Sequence, residues 1–340
     1  MSAPRVGRAA LKKARMPAHG PASKQAPRFP TADGTGPKTL PKRANPHLTN
    51  LPSPSSTPNE PPMSPKVMTI LGVSALTLST YIGYLYASYR REVTQSQSLS
   101  VPHDVSDRYN HTARTFDADV EMSENLMRLG SKRAELINRA RGDVLEVSCG
   151  TGRNLEYYEL GQRRGQDHQG RADIRGCRSV TFVDLSPEMV EITRAKFAKL
   201  FPEHTVPVDF RVRNAGDVPR RHVDPLRKGD EGYYDTVVQT MGLCSMPDPA
   251  GTLRHLGTIV EPRRGEILLL EHGRSHYDWL NRVLDNLAPA HADRHGCWWN
   301  RDIGQIVRDS GLEVVEEKRW HFGTTWKYVL RPRTETEEKK

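Results

Sequence analysis

The sequence predicts an α/β domain, a seven-stranded sheet with helices on both faces, preceded by a disordered tail and one transmembrane helix. Three observations predict this order. Seven apolar runs of strand length follow residue 104, and helical patterns separate most of them. A stretch without charged residues occupies 67–89, and residues 1–66 hold 14 of the 25 prolines. Strands that alternate with helices indicate a parallel sheet covered on both faces.

Residues 1–66 are predicted to be a disordered basic tail. They contain 11 lysines and arginines but only 2 acidic residues, whereas residues 67–340 hold 39 of each sign. A segment with so few apolar residues cannot bury enough surface to offset the conformational entropy that it would lose on folding. Because the net charge of +9 belongs to the tail, the remainder shows no basic footprint for nucleic acid. The first 32 residues lack acidic side chains, which is typical of a mitochondrial transit peptide. An ordinary basic tail is the alternative.

Residues 67–89 are predicted to span a membrane. At about 1.5 Å per residue, 23 uncharged positions match a hydrocarbon core of roughly 30 Å. Lys66 precedes the stretch and Arg90 follows it, so the charges leave its orientation open. A buried core helix is the alternative. Small residues at four-residue intervals form a strip that could dock a second helix, namely Ala75, Ser79, Gly83 and Ala87.

The soluble domain is predicted at 104–332, after a linker at 90–103 and before a charged tail at 333–340. A helical pattern at 122–140 leads into the first strand. Strands are predicted at 143–147, 179–184, 208–212, 234–239, 265–271, 312–317 and 325–330, with helices at 187–200 and 248–260. Residues 161–176 look like a polar surface insertion. Ligands of such sheets bind at the carboxyl ends of the strands.

The end of the first strand carries the strongest functional signal. The strand runs into a glycine turn, Ser148-Cys149-Gly150-Thr151-Gly152-Arg153-Asn154, which lets backbone approach a ligand closely. Asp184 ends the next strand, where a carboxylate can accept both hydroxyl hydrogen bonds of a ribose. Bulky residues replace the third glycine of a pyrophosphate-binding loop. The pattern therefore favours a nucleoside cofactor without a diphosphate and argues against NAD.

With LEVSCGTGRN, VTFVDLSPEM and RNAGDVP, the chain resembles the class I S-adenosylmethionine methyltransferases, whose sheet is Rossmann-like. The resemblance implies that Glu146 orients the loop near the methionine amine and that Asp184 holds the ribose. Ser148 stands where the family usually has its first glycine, and Asn214 replaces the Asp that contacts the adenine amino group. The cofactor site implied in this way comprises Glu146, Ser148, Cys149, Gly150, Thr151, Gly152, Asn154, Asp184, Leu185, Met189, Asn214, Ala215 and Gln239.

Longer motifs narrow the resemblance. LEVSCGTGRNLEYY, DTVVQTMGLCSMPDP, ILLLEHGRS and GCWWNRDIGQIVRDSGLEVV look like a fungal mitochondrial inner-membrane methyltransferase family that includes a suppressor of oxidase-assembly defects. That resemblance implies a single-pass protein of the mitochondrial inner membrane that methylates a small or lipid-soluble acceptor. The alternative is a methyltransferase-like scaffold that assists respiratory-complex assembly or RNA handling at the membrane.

Methyl transfer is an in-line displacement that chiefly requires positioning, although some enzymes add a base. Candidates for a base at the strand ends are His272, Glu271 and Thr240. A structural role for the histidine is the alternative. No metal site is predicted, because the histidines of HADRH (291–295) and the nearby Cys297 lack a further ligand at convincing spacing. Residues 275–300 are expected to cover the substrate site with aromatic walls, from Tyr277, Trp279, Trp298 and Trp299, although the last two could equally belong to the core.

Overall fold

The computed structural model describes residues 63–166 and 172–333. The chain divides into two units, Met1–Val67 and Met68–Lys340. The predicted basic tail lies outside the described residues apart from its last four positions. The charged C-terminal tail lies outside them apart from Arg333. The fold set out below is that of the second unit.

Eight helices and eight strands follow one another in the described part of the chain. The helices are α1 (Pro65–Gln97), α2 (Tyr109–Thr112), α3 (Phe116–Leu126), α4 (Leu129–Ile137), α5 (Pro187–Leu200), α6 (Pro249–Ile259), α7 (Asp278–His295) and α8 (Ile303–Ser310). The strands are β1 (Arg141–Val147), β2 (Arg163–Gln166), β3 (Ala172–Asp184), β4 (Val208–Val212), β5 (Thr236–Thr240), β6 (Glu266–His272), β7 (Glu313–Trp320) and β8 (Thr325–Arg331).

The central sheet has the order β4-β3-β1-β5-β6-β8-β7, with β2 added beside β3. The first five strands of this order run parallel, and β8 is antiparallel to both β6 and β7. All seven predicted strands are therefore present. The carboxyl ends of β4, β3, β1, β5 and β6 meet along one edge of the sheet, where a ligand is expected.

The polar insertion predicted at 161–176 contains strand β2, because Arg163–Gln166 pairs antiparallel with the first residues of β3. Two other local predictions were wrong. The helix predicted at 122–140 is divided into α3 and α4, since Arg128 between them adopts φ 50°. The sequence also predicts helical stretches between the first five strands, but the described residues between β1 and β3 form no α-helix. Leu155–Tyr157 forms a short 3-10 turn there instead.

Two apolar layers enclose the sheet. One face packs against α6 and α8 through Leu253, Leu256 and Val307. The other face packs against α4 and α5 through Leu136 and Phe197. β1 is buried along its whole length after its first residue, as expected for a central parallel strand. The core thus fixes the positions of the strand ends that carry the candidate site.

Helix α1 exposes its apolar side chains and is long and apolar enough to cross a membrane, by length and composition. It extends eight residues beyond the predicted span, into the segment predicted as a linker. This extension and Tyr89, the last residue of the predicted span, contact α7. Asn286 donates to Tyr89 Oη at 3.0 Å, and the backbone N–H of Ala290 donates to Ser96 Oγ at 3.1 Å. The apolar helix is therefore joined directly to the sheet domain.

A buried carboxylate is expected to make the fold sensitive to acid. Glu266 at the start of β6 accepts hydrogen bonds from Arg139 at 2.8 Å and from Arg331 at 2.6 Å. These guanidinium groups lower the pKa of Glu266 to about 2, although burial opposes the shift. The ordinary value is about 4.3. Ionised Glu266 therefore stabilises the fold above about pH 4.3, and this contribution disappears as the pH falls towards 2.

The variant Glu266→Gln is expected to lower the free energy of unfolding at pH 7 by about 1–3 kcal/mol. The partner arginines are about a third exposed, so solvent screening keeps the effect within that range. Urea unfolding at pH 7 and pH 3 measures it. The exposed Glu313 supplies the control Glu313→Gln. If the free energy of unfolding decreased by the same amount from pH 7 to pH 3 in wild type and in Glu266→Gln, the stabilising role of ionised Glu266 would be contradicted.

Candidate functional site

A cavity of about 500 Å³ lies at the carboxyl ends of β1, β3, β4 and β5. Most of the predicted site residues line it. These are Ser148, Cys149, Gly150, Thr151, Asn154, Asp184, Leu185, Met189, Asn214, Ala215 and Thr240. The structure does not bring Glu146, Gly152, Gln239, Glu271 or His272 to its wall. Residues from four strand ends thus converge on one space.

The loop after β1 has an unusual backbone. Gly150 and Gly152 adopt φ values of 54° and 76°, and Ser148 adopts 52°, which is rare for a residue with a side chain. A Cβ on Gly152 would lie 2.7 Å from Leu155 Cδ1, so only glycine fits there. The hydroxyl of Thr193 in α5 donates to the Gly150 carbonyl at 2.6 Å and holds the turn in place. The serine at the first position therefore preserves the left-handed turn, at a conformational cost of about 1–2 kcal/mol.

Asp184 is positioned by the same loop. Its Oδ2 accepts from the Gly150 backbone N–H and its Oδ1 from the Ser186 N–H, each at 2.9 Å. A carboxylate has about four acceptor positions, so two remain for hydroxyl groups of a ligand. Burial raises the pKa of Asp184, although these backbone hydrogen bonds oppose the rise. The side chain is therefore both fixed and still able to bind.

Asn214 begins the 3-10 turn Ala215–Asp217. Its Oδ1 accepts from the Gly216 N–H at 2.8 Å, so its amide nitrogen is the polar atom left to face a ligand. That nitrogen donates, whereas an adenine amino group needs an acceptor. Asp217 lies in the same turn and lines the cavity, and its carboxylate is an acceptor group. Sequence reasoning missed Asp217, although its place three residues after Asn214 in RNAGDVP could have indicated it.

Glu146 is buried and does not line the cavity, but it is linked by a hydrogen bond to the end of the glycine turn. It is 1% exposed, and it accepts from Asn154 Nδ2 at 2.9 Å and from Tyr158 Oη at 2.6 Å. Burial raises the pKa of Glu146 to about 7. Arg133 of α4 joins the same network by donating to Asn154 Oδ1 and Thr240 Oγ1, both at 2.9 Å. The network fixes the ends of β1 and β5 relative to each other.

The segment 104–126 covers the cavity. Asp104, Ser106, Tyr109, Phe116 and Glu124 contribute to its lining. Helix α3 is attached to the β1 loop by polar contacts. Asp117 accepts from Thr151 Oγ1 at 2.6 Å, and Glu124 forms an ion pair with Arg153 at 2.9 Å.

The prediction that 275–300 forms the cover was wrong. Helix α7 packs against the end of α1 instead, and no residue of this segment lines the cavity. Tyr277 and Trp279 are 49% and 57% exposed. Trp299 stacks on His291 with ring centroids 3.9 Å apart, and the side chain of Trp298 is directed into the protein interior. Trp299 therefore packs against α7, whereas Tyr277 and Trp279 are largely exposed.

Two of the proposed bases lie behind the cavity wall. Glu271 is fully buried, and its Oε1 accepts from Gln239 Nε2 and from the Gly242 N–H at 3.2 Å. Burial raises the pKa of Glu271 to about 8. His272 Nε2 lies 2.8 Å from Cys297 Sγ. Thr240 does line the cavity, but its hydroxyl is already bound to Arg133 and Asn154.

Comparisons with known proteins agree with this architecture. A family model described as a methyltransferase domain matches residues 111–317. "Methyltransferase OMS1, mitochondrial" of Saccharomyces cerevisiae is 38% identical over 248 residues, which are 72% of this chain and 50% of the yeast protein. The human "Thiol S-methyltransferase TMT1B" is 24% identical over 204 residues, 56% of this chain and 72% of that protein. The chain thus spans half the length of the yeast relative.

Among solved structures, an O-methyltransferase family protein from Burkholderia thailandensis superposes with a TM-score of 0.47 at 17% identity. The superposition covers 74% of this chain and 70% of that one.

Proposed function

This chain belongs to the methyltransferase family whose domain matches residues 111–317, and from that membership we infer that it transfers a methyl group from S-adenosylmethionine to a small or lipid-soluble acceptor. The proposal rests on the cavity. Its wall contains both the glycine turn with Asp184 and the covering segment 104–126, which follows helix α1 in the sequence. The strand ends divide this cavity into a cofactor side and an acceptor side.

The cofactor side lies over β1, β3 and β4. Asp184 has two free acceptor positions for the ribose hydroxyl groups, and Leu185, Met189 and Ala215 offer apolar contacts for the base. The left-handed turn at 148–152 leaves room for the methionine part. S-adenosylmethionine, when bound, supplies a methyl group on a positively charged sulfur. The residues present therefore fit the cofactor.

The acceptor side lies over the loop after β5. Ser245 Oγ and Tyr109 Oη are 3.0 Å apart, and both residues line the cavity. Phe116 and Met246 add apolar surface there. These groups can orient an acceptor atom and exclude water, which is the main requirement of an in-line displacement. The protein is thus proposed to act by alignment of its two substrates.

The membrane supplies the acceptor in this proposal. Helix α1 runs to Gln97, and the cavity lining begins at Asp104, only seven residues further on. The yeast relative is named a mitochondrial protein, which supports a mitochondrial membrane and a targeting role for residues 1–66. We place the chain in the inner membrane as a single-pass protein, with residues 67–89 as the span. The name of the human relative makes thiols the first acceptors to test.

The test uses the full chain reconstituted in phosphatidylcholine vesicles with methyl-labelled S-adenosylmethionine. A long-chain alkyl thiol and a short water-soluble thiol are offered as acceptors, with the matching alcohols as controls. We expect the label to move to the long-chain thiol faster than to the short one. Faster transfer to the water-soluble thiol would contradict the membrane-derived acceptor. An absence of cofactor binding in the millimolar range would favour the scaffold function instead.

A further inference from the structure

Behind the acceptor side of the cavity, three potential metal ligands converge. Cys244 lies in the loop after β5, His272 is the last residue of β6, and Cys297 follows α7. Their ligand atoms all lie within 4.8 Å of one another. Both cysteines are buried and His272 is half-buried. We propose that Cys244, His272 and Cys297 bind one zinc ion.

The geometry suits a tetrahedral ion. Zinc binds sulfur at about 2.3 Å and imidazole nitrogen at about 2.0–2.1 Å, which separates neighbouring ligand atoms by roughly 3.5–3.8 Å. All three ligand atoms lie within 4.8 Å of one another, and the distance of 2.8 Å between His272 Nε2 and Cys297 Sγ has to open by roughly 0.7 Å to admit the ion.

The ligand set also suits the charge of the ion. Two cysteine thiolates and a neutral imidazole carry two negative charges, which a divalent zinc ion neutralises inside the protein. Thiolate and imidazole ligands favour zinc over magnesium or calcium, which prefer oxygen. Three protein ligands leave a fourth position for water or another ligand.

Hydrogen bonds join the segments that carry the three ligands before any ion binds. The Trp298 N–H donates to the Cys244 carbonyl at 3.2 Å, and Arg301 Nε donates to the same carbonyl at 3.1 Å. The Arg274 N–H donates to the Arg301 carbonyl at 2.8 Å, next to the end of β6. A site whose ligands are positioned by surrounding hydrogen bonds loses little freedom on binding.

The zinc site is linked to the acceptor side of the cavity. Ser245 Oγ lies 3.5 Å from Cys244 Sγ and 3.0 Å from Tyr109 Oη. Groups that contact metal ligands orient them. Ser245 contacts both Cys244 and Tyr109, and it therefore connects the proposed ion to the cavity wall. The ion would hold the loop after β5 against the loop after α7, and so fix the shape of this wall. This inference does not depend on the identity of the acceptor.

The experiment measures the metal content of the full chain purified in detergent without chelators. The double variant Cys244→Ala with Cys297→Ala removes two ligands, whereas Cys177→Ala removes a buried cysteine outside the cluster. We expect about one zinc ion per chain in wild type and in Cys177→Ala. Loss of a group that merely surrounds a metal ligand already lowers the affinity for the metal roughly 10–100-fold. Loss of two ligands should lower it further, so we expect the double variant to hold about a tenth of the wild-type zinc or less.

Cobalt supplies a second readout that does not depend on activity. Wild-type chain loaded with Co²⁺ should show thiolate-to-cobalt charge-transfer absorption, and His272→Gln should weaken it while both sulfurs remain. The cobalt spectrum of the wild type also decides the matter if the double variant fails to fold. Wild-type protein without zinc or a cobalt signal would overturn the proposal. So would stoichiometric copper in place of zinc, or a Cys244–Cys297 disulfide in metal-free protein.

Discussion

Asp184→Ala is expected to weaken binding of S-adenosylmethionine by about 10²–10⁴-fold. In the proposed cofactor site, the variant removes two hydrogen bonds from ribose hydroxyl groups to a charged acceptor, each with a contribution of about 1.5–3 kcal/mol. It also removes the acceptor of the Gly150 N–H, so the glycine turn loses an anchor. Isothermal titration of the full chain with the cofactor measures the change.

Two further measurements distinguish a loss of ribose binding from a general disturbance of the fold. Asp209→Ala removes an exposed carboxylate on the neighbouring β4 and should leave the affinity unchanged. Because burial raises the pKa of Asp184, its charged form is lost at a higher pH than for an ordinary aspartate as the solution is acidified. The affinity of wild type for the cofactor should therefore decrease as the pH is lowered, whereas the affinity of Asp184→Ala should not show this decrease. An affinity of Asp184→Ala within threefold of wild type would refute the ribose assignment.

Arg133→Met is expected to produce a large loss of stability, about 3 kcal/mol. Arg133 is 4% exposed, and its guanidinium joins Glu124, Asn154 and Thr240. Methionine keeps much of the length of the side chain but makes none of these hydrogen bonds. Removal of one partner from a buried ion pair costs about 3–5 kcal/mol, and Arg153 remains to neutralise part of the Glu124 charge.

Urea unfolding of the full chain at pH 7 tests this expectation. Arg114→Met changes an exposed arginine in the covering segment and should leave the free energy of unfolding within about 0.5 kcal/mol of wild type. Cofactor affinity should fall in Arg133→Met as well, because Asn154 and Thr240 line the cavity. A stability equal to that of Arg114→Met would show that the network is not required to join β1 to β5.

The sequence predicted the sheet well because apolar residues recur along each of the seven predicted strands. All seven predicted strands exist, and α5 begins and ends at the predicted residues, since Ser186 caps its first turn by accepting from the Met189 N–H. The meeting of the glycine turn and Asp184 was also predictable. It follows from the rule that parallel strands place their carboxyl ends together.

Features that depend on distant pairs could not be predicted. The cover at 104–126 is held by contacts such as Asp117 with Lys196, which are 79 residues apart. Likewise Cys244, His272 and Cys297 form no spacing motif, and only the folded sheet and α7 bring them together. The division of the 122–140 helix depends on the single backbone angle of Arg128, which a helical pattern does not reveal.

The attachment of α1 to α7 has a consequence for diffusion, if α1 spans a membrane as proposed. The contacts with α7 begin at Tyr89, the last residue of the uncharged stretch, so no flexible tether separates the domain from the lipid headgroups. The eight helical residues after it reach only about 12 Å. The cavity would then stay within a thin layer at the bilayer surface. An acceptor that partitions into lipid would reach it by two-dimensional diffusion, without first dissolving in water.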